Sequence, residues 1–141
     1  MRAPCRSPMF AALAVMLAAG GVGAQQGRGV DGSLLTEVFE EICRQGILHP
    51  QIVMRQAILE TGWLRPGMLM RQNNLFGFQV HSYMSFPHWR DSVDYYKVWQ
   101  ERSYRNRGED YYAFLDRIRY GAPGYSDVLR RVNWERSCPG S

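Results

Sequence analysis

The chain has 141 residues, with 17 Lys and Arg against 13 Asp and Glu, and a formal net charge of +4 at pH 7. This length predicts a single domain. Two of the basic residues, Arg2 and Arg6, lie in an N-terminal segment that we expect to be removed, which leaves a net charge of +2. So small an excess argues against nucleic acid as a partner, whereas it suits an anionic cell envelope.

The first 24 residues have the pattern of a secretory signal peptide. Arg2 and Arg6 precede an apolar run at residues 9–19, and small residues follow at 22–24. That run of 11 residues is too short to span a bilayer, and no later segment is long or apolar enough to do so. We predict cleavage after Ala24, export to the periplasm or the medium, and no stable membrane span thereafter. An uncleaved N-terminal anchor is the weaker alternative.

The remainder divides into a flexible lead-in at residues 25–32, a domain at 33–134 and a short tail at 135–141. Within the domain, Ser33 is an expected N-cap, and apolar residues at helical spacing predict a mainly helical fold. Predicted helices cover residues 34–45, 50–61, a segment opening at 91–92, 110–118 and 125–132. Residues 63–72 show no clear period, and 73–86 predict a turn with a short two-stranded β element. The predicted class is therefore mainly α (α+β), a helical domain with a small β-hairpin lobe.

Two cysteines remain after removal of the N-terminal segment, Cys43 near the end of the first helix and Cys138 in the tail. An even pair in an exported protein predicts a disulfide that ties the tail to this helix. A buried free Cys43 beside a frayed tail is the alternative.

Glu60 is the principal candidate for chemistry. It lies in the last turn of an apolar predicted helix, where burial and the negative end of the helix dipole both disfavour its ionisation. A carboxyl kept protonated near neutral pH can act as a general acid. The competing interpretation is an ordinary surface glutamate, and Arg65 could pair with it and lower its pKa.

A second carboxylate is not found near Glu60 in the sequence, because residues 61–90 contain no Asp or Glu. A mechanism with two carboxylates would draw on Asp91 first and Asp94 second. At a predicted helix start, Asp91 has the competing role of an N-cap.

Several polar and aromatic side chains are candidates for sugar contacts, since amides bond to hydroxyl and N-acetyl groups and rings stack on pyranose faces. We expect Leu75 to be buried and Asn74 and Phe76 to lie nearer a cleft. The three histidines show no metal-ligand spacing, so no metal site is predicted. The candidate substrate contacts are Trp63, Asn73, Asn74, Phe76 and Tyr125, with Tyr120 before a Gly-Pro loop.

Short motifs in order along residues 34–132 carry a family resemblance. They are residues 46–50 (GILHP), 56–63 (QAILETGW), 73–78 (NNLFGF), 85–86 (SF), 89–93 (WRDSV), 95–96 (YY), 111–115 (YYAFL) and 120–122 (YGA), followed by Tyr125. Together they resemble the bacterial glucosaminidases of glycoside hydrolase family 73. The chain departs from the family pattern at residues 64–70 (LRPGMLM), where many members have Gly and a Ser-bearing segment.

The resemblance implies a lysozyme-like fold and hydrolysis of peptidoglycan at the β-1,4 bond after N-acetylglucosamine. It implies that Glu60 is the general acid and Tyr120 a tyrosine of the cleft, and Asp91 remains the candidate for positioning water. Assistance by the substrate's N-acetyl group and a water held by an acid of a mobile β-lobe both stay open for the second step. Peptidoglycan strands are then the expected partner of a monomer without a cofactor. Two alternatives stay open: a non-catalytic peptidoglycan-binding module with a retained cleft, and a lytic transglycosylase, which also needs one glutamate.

Overall fold

A computed structural model describes residues 32–140 of the chain. The predicted signal peptide, the predicted lead-in up to residue 31 and the last residue of the tail lie outside the described residues. Within residues 32–140 the secondary structure is helical apart from one isolated β-bridge, which confirms the mainly α prediction. The helices are α1 (Gly32–Arg44), α2 (Pro50–Thr61), α3 (Met68–Arg71), α4 (Trp89–Ser103), α5 (Tyr111–Arg117) and α6 (Tyr125–Arg130).

Helix α2 lies at the centre of the domain and packs against α1, α3 and α6. Its side chains Val53, Met54, Ala57 and Ile58 are all buried. Gln51, Arg55 and Gln56 interrupt the apolar sequence, yet buried residues cover more than one face, as expected of a helix in the middle of a domain. The last turn of α2, which carries Glu60, is therefore held by the core on several sides.

The end of α2 is an abrupt left-handed turn. The C-cap Gly62 has φ 61° and its backbone N–H donates to the carbonyl of Ile58, as a glycine at this position commonly does. Trp63 and Leu64 continue in the left-handed region with φ 67° and 55°. Bulky residues seldom adopt this conformation, and such strain concentrates at functional sites.

The segment between α2 and α4 is more helical and less β-like than the sequence predicts. It contains the single helical turn α3, which the sequence analysis did not predict. Four residues are too few to show a helical period, and Pro66 and Gly67 directly before them suggest a loop. The predicted two-stranded element is reduced to one antiparallel bridge between Gln79 and Tyr83. The Met84 N–H donates to the Phe78 carbonyl at 2.9 Å and closes this hairpin turn.

Two predicted helix starts need correction. Helix α4 begins at Trp89, and His88 is its N-cap: the His88 side chain accepts from the backbone N–H of Arg90, while Asp91 accepts from the His88 N–H at 2.8 Å. Asp91 is thus the third residue of the helix in a capping box and not its opening residue. Ser33 lies inside α1, where its hydroxyl donates to Glu37 at 3.2 Å, so it is not the N-cap.

In the structure Cys43 and Cys138 form a disulfide with a Cα–Cα distance of 5.6 Å, which fastens the tail to α1. The tail also packs back on the domain, because the ring of Trp134 lies 5.5 Å from that of Phe39. Among residues 32–140, no helix has the length and apolar character needed to cross a membrane.

Candidate active site

The carboxyl group of Glu60 is the centre of the candidate site. The hydroxyl of Tyr125, the first residue of α6, donates to Glu60 Oε1 at 2.9 Å. On the other side, the backbone of Gly77 passes so close that a Cβ there would lie 2.8 Å from Glu60 Oε2. The end of α2, the start of α6 and the turn at residues 76–78 therefore converge on one carboxyl group.

This environment keeps the carboxyl group protonated to an unusually high pH. Burial of Glu60 raises its pKa from 4.5 to about 7, although the hydrogen bond from Tyr125 acts in the opposite direction. Burial wins because it removes the water that would solvate the charge, and a single hydroxyl donor replaces only part of that solvation. Arg65 is exposed and is not among the groups that act on the pKa of Glu60.

Asn74 shapes the turn that approaches Glu60. It is fully buried, and its side chain donates to the carbonyls of Phe78 and Met84 at 2.8 and 3.0 Å and accepts from the Phe78 N–H at 3.0 Å. These bonds satisfy the buried amide and fix the backbone that contains Gly77. The expectation that Asn74 lies nearer the cleft is wrong, because the hairpin turn takes up its side chain.

Phe76 is also buried, with 1% of its surface exposed, and its ring lies 4.5 Å from that of Tyr96. The expectation that Phe76 lies nearer the cleft is also wrong, because its side chain packs in the core. The Phe76 carbonyl, however, accepts from the hydroxyl of Tyr120 at 2.7 Å. Leu75 is buried as predicted.

Tyr120 and Tyr125 lie side by side at the site, with ring centroids 5.6 Å apart. Tyr120 is half-buried, whereas Tyr125 is buried. Gly121 is required between them, because a Cβ at this position would collide with the ring of Tyr125. The predicted tyrosines thus come together, and the one that contacts Glu60 directly is Tyr125.

Tyr83 is a site residue that the sequence analysis missed. It is partly buried at the β-bridge with Gln79, and its pKa is raised by burial and by the charge of Glu60. The hairpin turn therefore brings a third tyrosine to the neighbourhood of the carboxyl group. Nothing in the local sequence distinguishes this tyrosine from the others of the domain.

The other predicted site residues have structural contacts in the part of the chain that is described. The backbone of Asn73 is in the left-handed region, with φ 53°, and its side-chain amide donates to the carbonyl of Phe86 at 2.9 Å. Trp63 is half-buried in the left-handed turn after Glu60. Asp91 uses its carboxylate in the capping box of α4 and is not among the groups that act on the pKa of Glu60. Residues 32–140 contain no cluster of three potential metal ligands.

Comparison with known proteins assigns the family. The family model described as glucosaminidase, mannosyl-glycoprotein endo-beta-N-acetylglucosaminidase, matches residues 36–135. No curated protein and no solved structure gives a significant match. The matched region contains Glu60 and every side chain that surrounds it, and it supports a glycoside hydrolase of the peptidoglycan-degrading type. The chain belongs to the glucosaminidase family.

Proposed function

We propose that the protein is an exported endo-β-N-acetylglucosaminidase that cleaves peptidoglycan at the β-1,4 bond after N-acetylglucosamine, with Glu60 as the general acid. The observation that carries the proposal is the state of this carboxyl group. Burial raises its pKa to about 7, and Tyr125 and Gly77 fix it on two sides. A buried carboxyl group that is still protonated near neutral pH is what departure of a sugar hydroxyl requires.

In the proposed reaction, Glu60 gives its proton to the glycosidic oxygen as the bond to the sugar carbon breaks. The carboxylate left behind is negative and buried, and the hydroxyl of Tyr125 already points at it at 2.9 Å. This hydrogen bond becomes stronger as the charge develops, because hydrogen bonds to ions exceed those to neutral groups. Tyr125 therefore stabilises the carboxylate that forms as Glu60 gives up its proton.

The second half of the reaction adds water to the sugar carbon, and Asp91 contributes little to this step in our proposal. Its carboxylate already accepts a backbone N–H of the α4 capping box. Assistance by the substrate's own N-acetyl group fits the acid-free segment at residues 61–90 better. Tyr83, beside Glu60, is placed to contact the sugar or the incoming water.

Export is part of the proposal. It is supported by the N-terminal pattern of basic, apolar and small residues, and by the disulfide between Cys43 and Cys138, since disulfides persist in oxidising compartments. In such a compartment the substrate would be a cell-wall polymer.

The engagement of Asp91 in the capping box favours one second candidate, a peptidoglycan-binding module that no longer hydrolyses. Release of soluble fragments from purified peptidoglycan separates the two. We expect release by the wild-type protein, release reduced at least a thousandfold in Glu60→Gln, and unchanged release in Glu40→Gln, an exposed acid on α1. Retention on the polymer without release by wild-type protein would favour the binding module.

A further inference from the structure

A row of buried polar side chains runs from the far side of the core toward Glu60. It starts at the backbone of Leu48, before α2, and passes through Gln100, Tyr111 and Tyr96 to Gln56. Each of these four side chains is buried, and Gln56 lies one helical turn before Glu60 on α2. Burial of a polar group destabilises the fold unless the group is hydrogen-bonded, so a buried row of this length suggests a role.

The first link of the row fixes the orientation of the Gln100 amide. The Leu48 N–H donates to Gln100 Oε1 at 2.9 Å, and Gln100 Nε2 donates to the Leu48 carbonyl at 2.9 Å. Because a backbone N–H can only donate and a carbonyl can only accept, this amide cannot be turned over. Its nitrogen also donates to the hydroxyl of Tyr111 at 2.9 Å.

The direction of donation then follows along the row. The Tyr96 hydroxyl donates to Gln56 Oε1 at 2.5 Å, since an amide oxygen has no proton to give. Because the Tyr96 proton is used in this bond, Tyr96 accepts from the Tyr111 hydroxyl, which lies 2.7 Å away. Each hydroxyl thus accepts one hydrogen bond and donates one, all toward Gln56.

At the end of the row the Gln56 nitrogen is left over. With Oε1 held by Tyr96, the buried Nε2 has no hydrogen-bond partner among the described residues. Helix α6 packs against α2, and its residue Tyr125 is the group on which Gln56 acts. Burial and Glu60 raise the pKa of the Tyr125 hydroxyl, and Gln56 lowers it, as a donor to the phenol oxygen does.

We propose that Gln56 is a positioning residue for Glu60: its otherwise unpaired Nε2 turns to donate to the Tyr125 oxygen, so that the single Tyr125 proton is left for Glu60 Oε1. If the Gln56 amide were turned over, its nitrogen would donate to Tyr96 and the Tyr96 proton would go to Tyr111. The Tyr111 proton would then have no acceptor, because Gln100 only donates to that hydroxyl. The catalytic meaning of this coupling rests on the proposed function, whereas the coupling itself does not.

Few groups other than Gln56 and Tyr125 could change the pKa of Glu60. Tyr125 faces it from α6 and Tyr83 from the hairpin turn. No charged group of α1 or α3, the other helices packed against α2, is among those that act on its pKa. Removal of the Gln56 donor should therefore reach Glu60 through Tyr125 alone.

An NMR titration of the Glu60 side-chain carboxyl carbon tests this coupling without any need for activity. The signal is assigned by its loss in Glu60→Gln. We expect Gln56→Met to raise the pKa of Glu60 by about 0.5, and Tyr125→Phe to raise it by more, since each removes a donor that favours the charged form. Gln51→Met, a partly exposed site on the same helix, should leave it unchanged.

The double variant Gln56→Met/Tyr125→Phe decides between coupling and simple packing. If Gln56 acts through Tyr125, the double variant has the pKa of Tyr125→Phe alone. An unchanged pKa in Gln56→Met, or additive changes in the double variant, would overturn the proposal. If Gln56→Met does not fold, Tyr96→Phe removes the group that holds the amide and should raise the pKa in the same direction; no change there would also overturn it. A coupled titration in a protein without hydrolase activity would refute only the proposed function.

Discussion

Replacement of Glu60 by Gln should make the protein more stable, and the gain should depend on pH. The pKa of Glu60 is about 7 in the folded protein against an ordinary value of 4.5. Between these values the folded state holds a proton that the unfolded state has lost, so the stability of the wild-type protein falls as the pH rises. A tenfold difference in proton affinity is worth about 1.4 kcal/mol, so the full loss above pH 7 is about 3 kcal/mol.

The glutamine has the same shape, keeps an oxygen that accepts from Tyr125 and never ionises. Glu60→Gln should therefore match the wild-type protein near pH 4.5 and exceed it by up to about 3 kcal/mol at pH 8. Urea denaturation at a series of pH values measures the difference, with Glu40→Gln as the exposed control. A difference between Glu60→Gln and wild type that is the same at pH 4.5 and pH 8 would refute the reasoning.

Three further predictions concern Tyr125, Gly77 and the disulfide. Tyr125→Phe removes the donor that favours the charged form, so the alkaline fall of hydrolysis should move to higher pH; a pH–rate profile with an unmoved limb would contradict this. Gly77→Ala should reduce hydrolysis at least tenfold, since its Cβ would lie 2.8 Å from the carboxyl group at φ 67°, while Gly46→Ala, at φ 63° in open space, should lose stability only. Serine at both Cys43 and Cys138, 95 residues apart, should lower the free energy of unfolding by about 4–5 kcal/mol in urea; an unchanged midpoint would count against a stabilising disulfide.

The sequence was sufficient to place Glu60 within the fold. The apolar period of α2, the proline at its first position and the glycine after Thr61 set both ends of the helix, and the structure has the same bounds. Where side chains compete for a cap, the sequence was less informative. Asp91 suits a helix start by residue type, and only the geometry shows that it forms a capping box with His88, which is outside the usual set of N-cap residues.

The arrangement around Glu60 could be predicted only in part. Tyr125 lies 65 residues away along the chain, and that it bonds to Glu60 depends on how α6 packs against α2. Asn74 and Phe76 have side chains suited to a sugar, yet the hairpin turn and the core bury them. Residue type indicates what a side chain can bind, whereas the packing of distant elements decides what it does bind.

The most direct test of the account is the mass of the products released from purified peptidoglycan by the mature protein. We predict fragments that end in reducing N-acetylglucosamine, with none from Glu60→Gln under the same conditions. Products lighter by one water, with an anhydro end, would identify a lytic transglycosylase. Reducing ends released equally by Glu60→Gln would contradict the central claim that Glu60 is the acid.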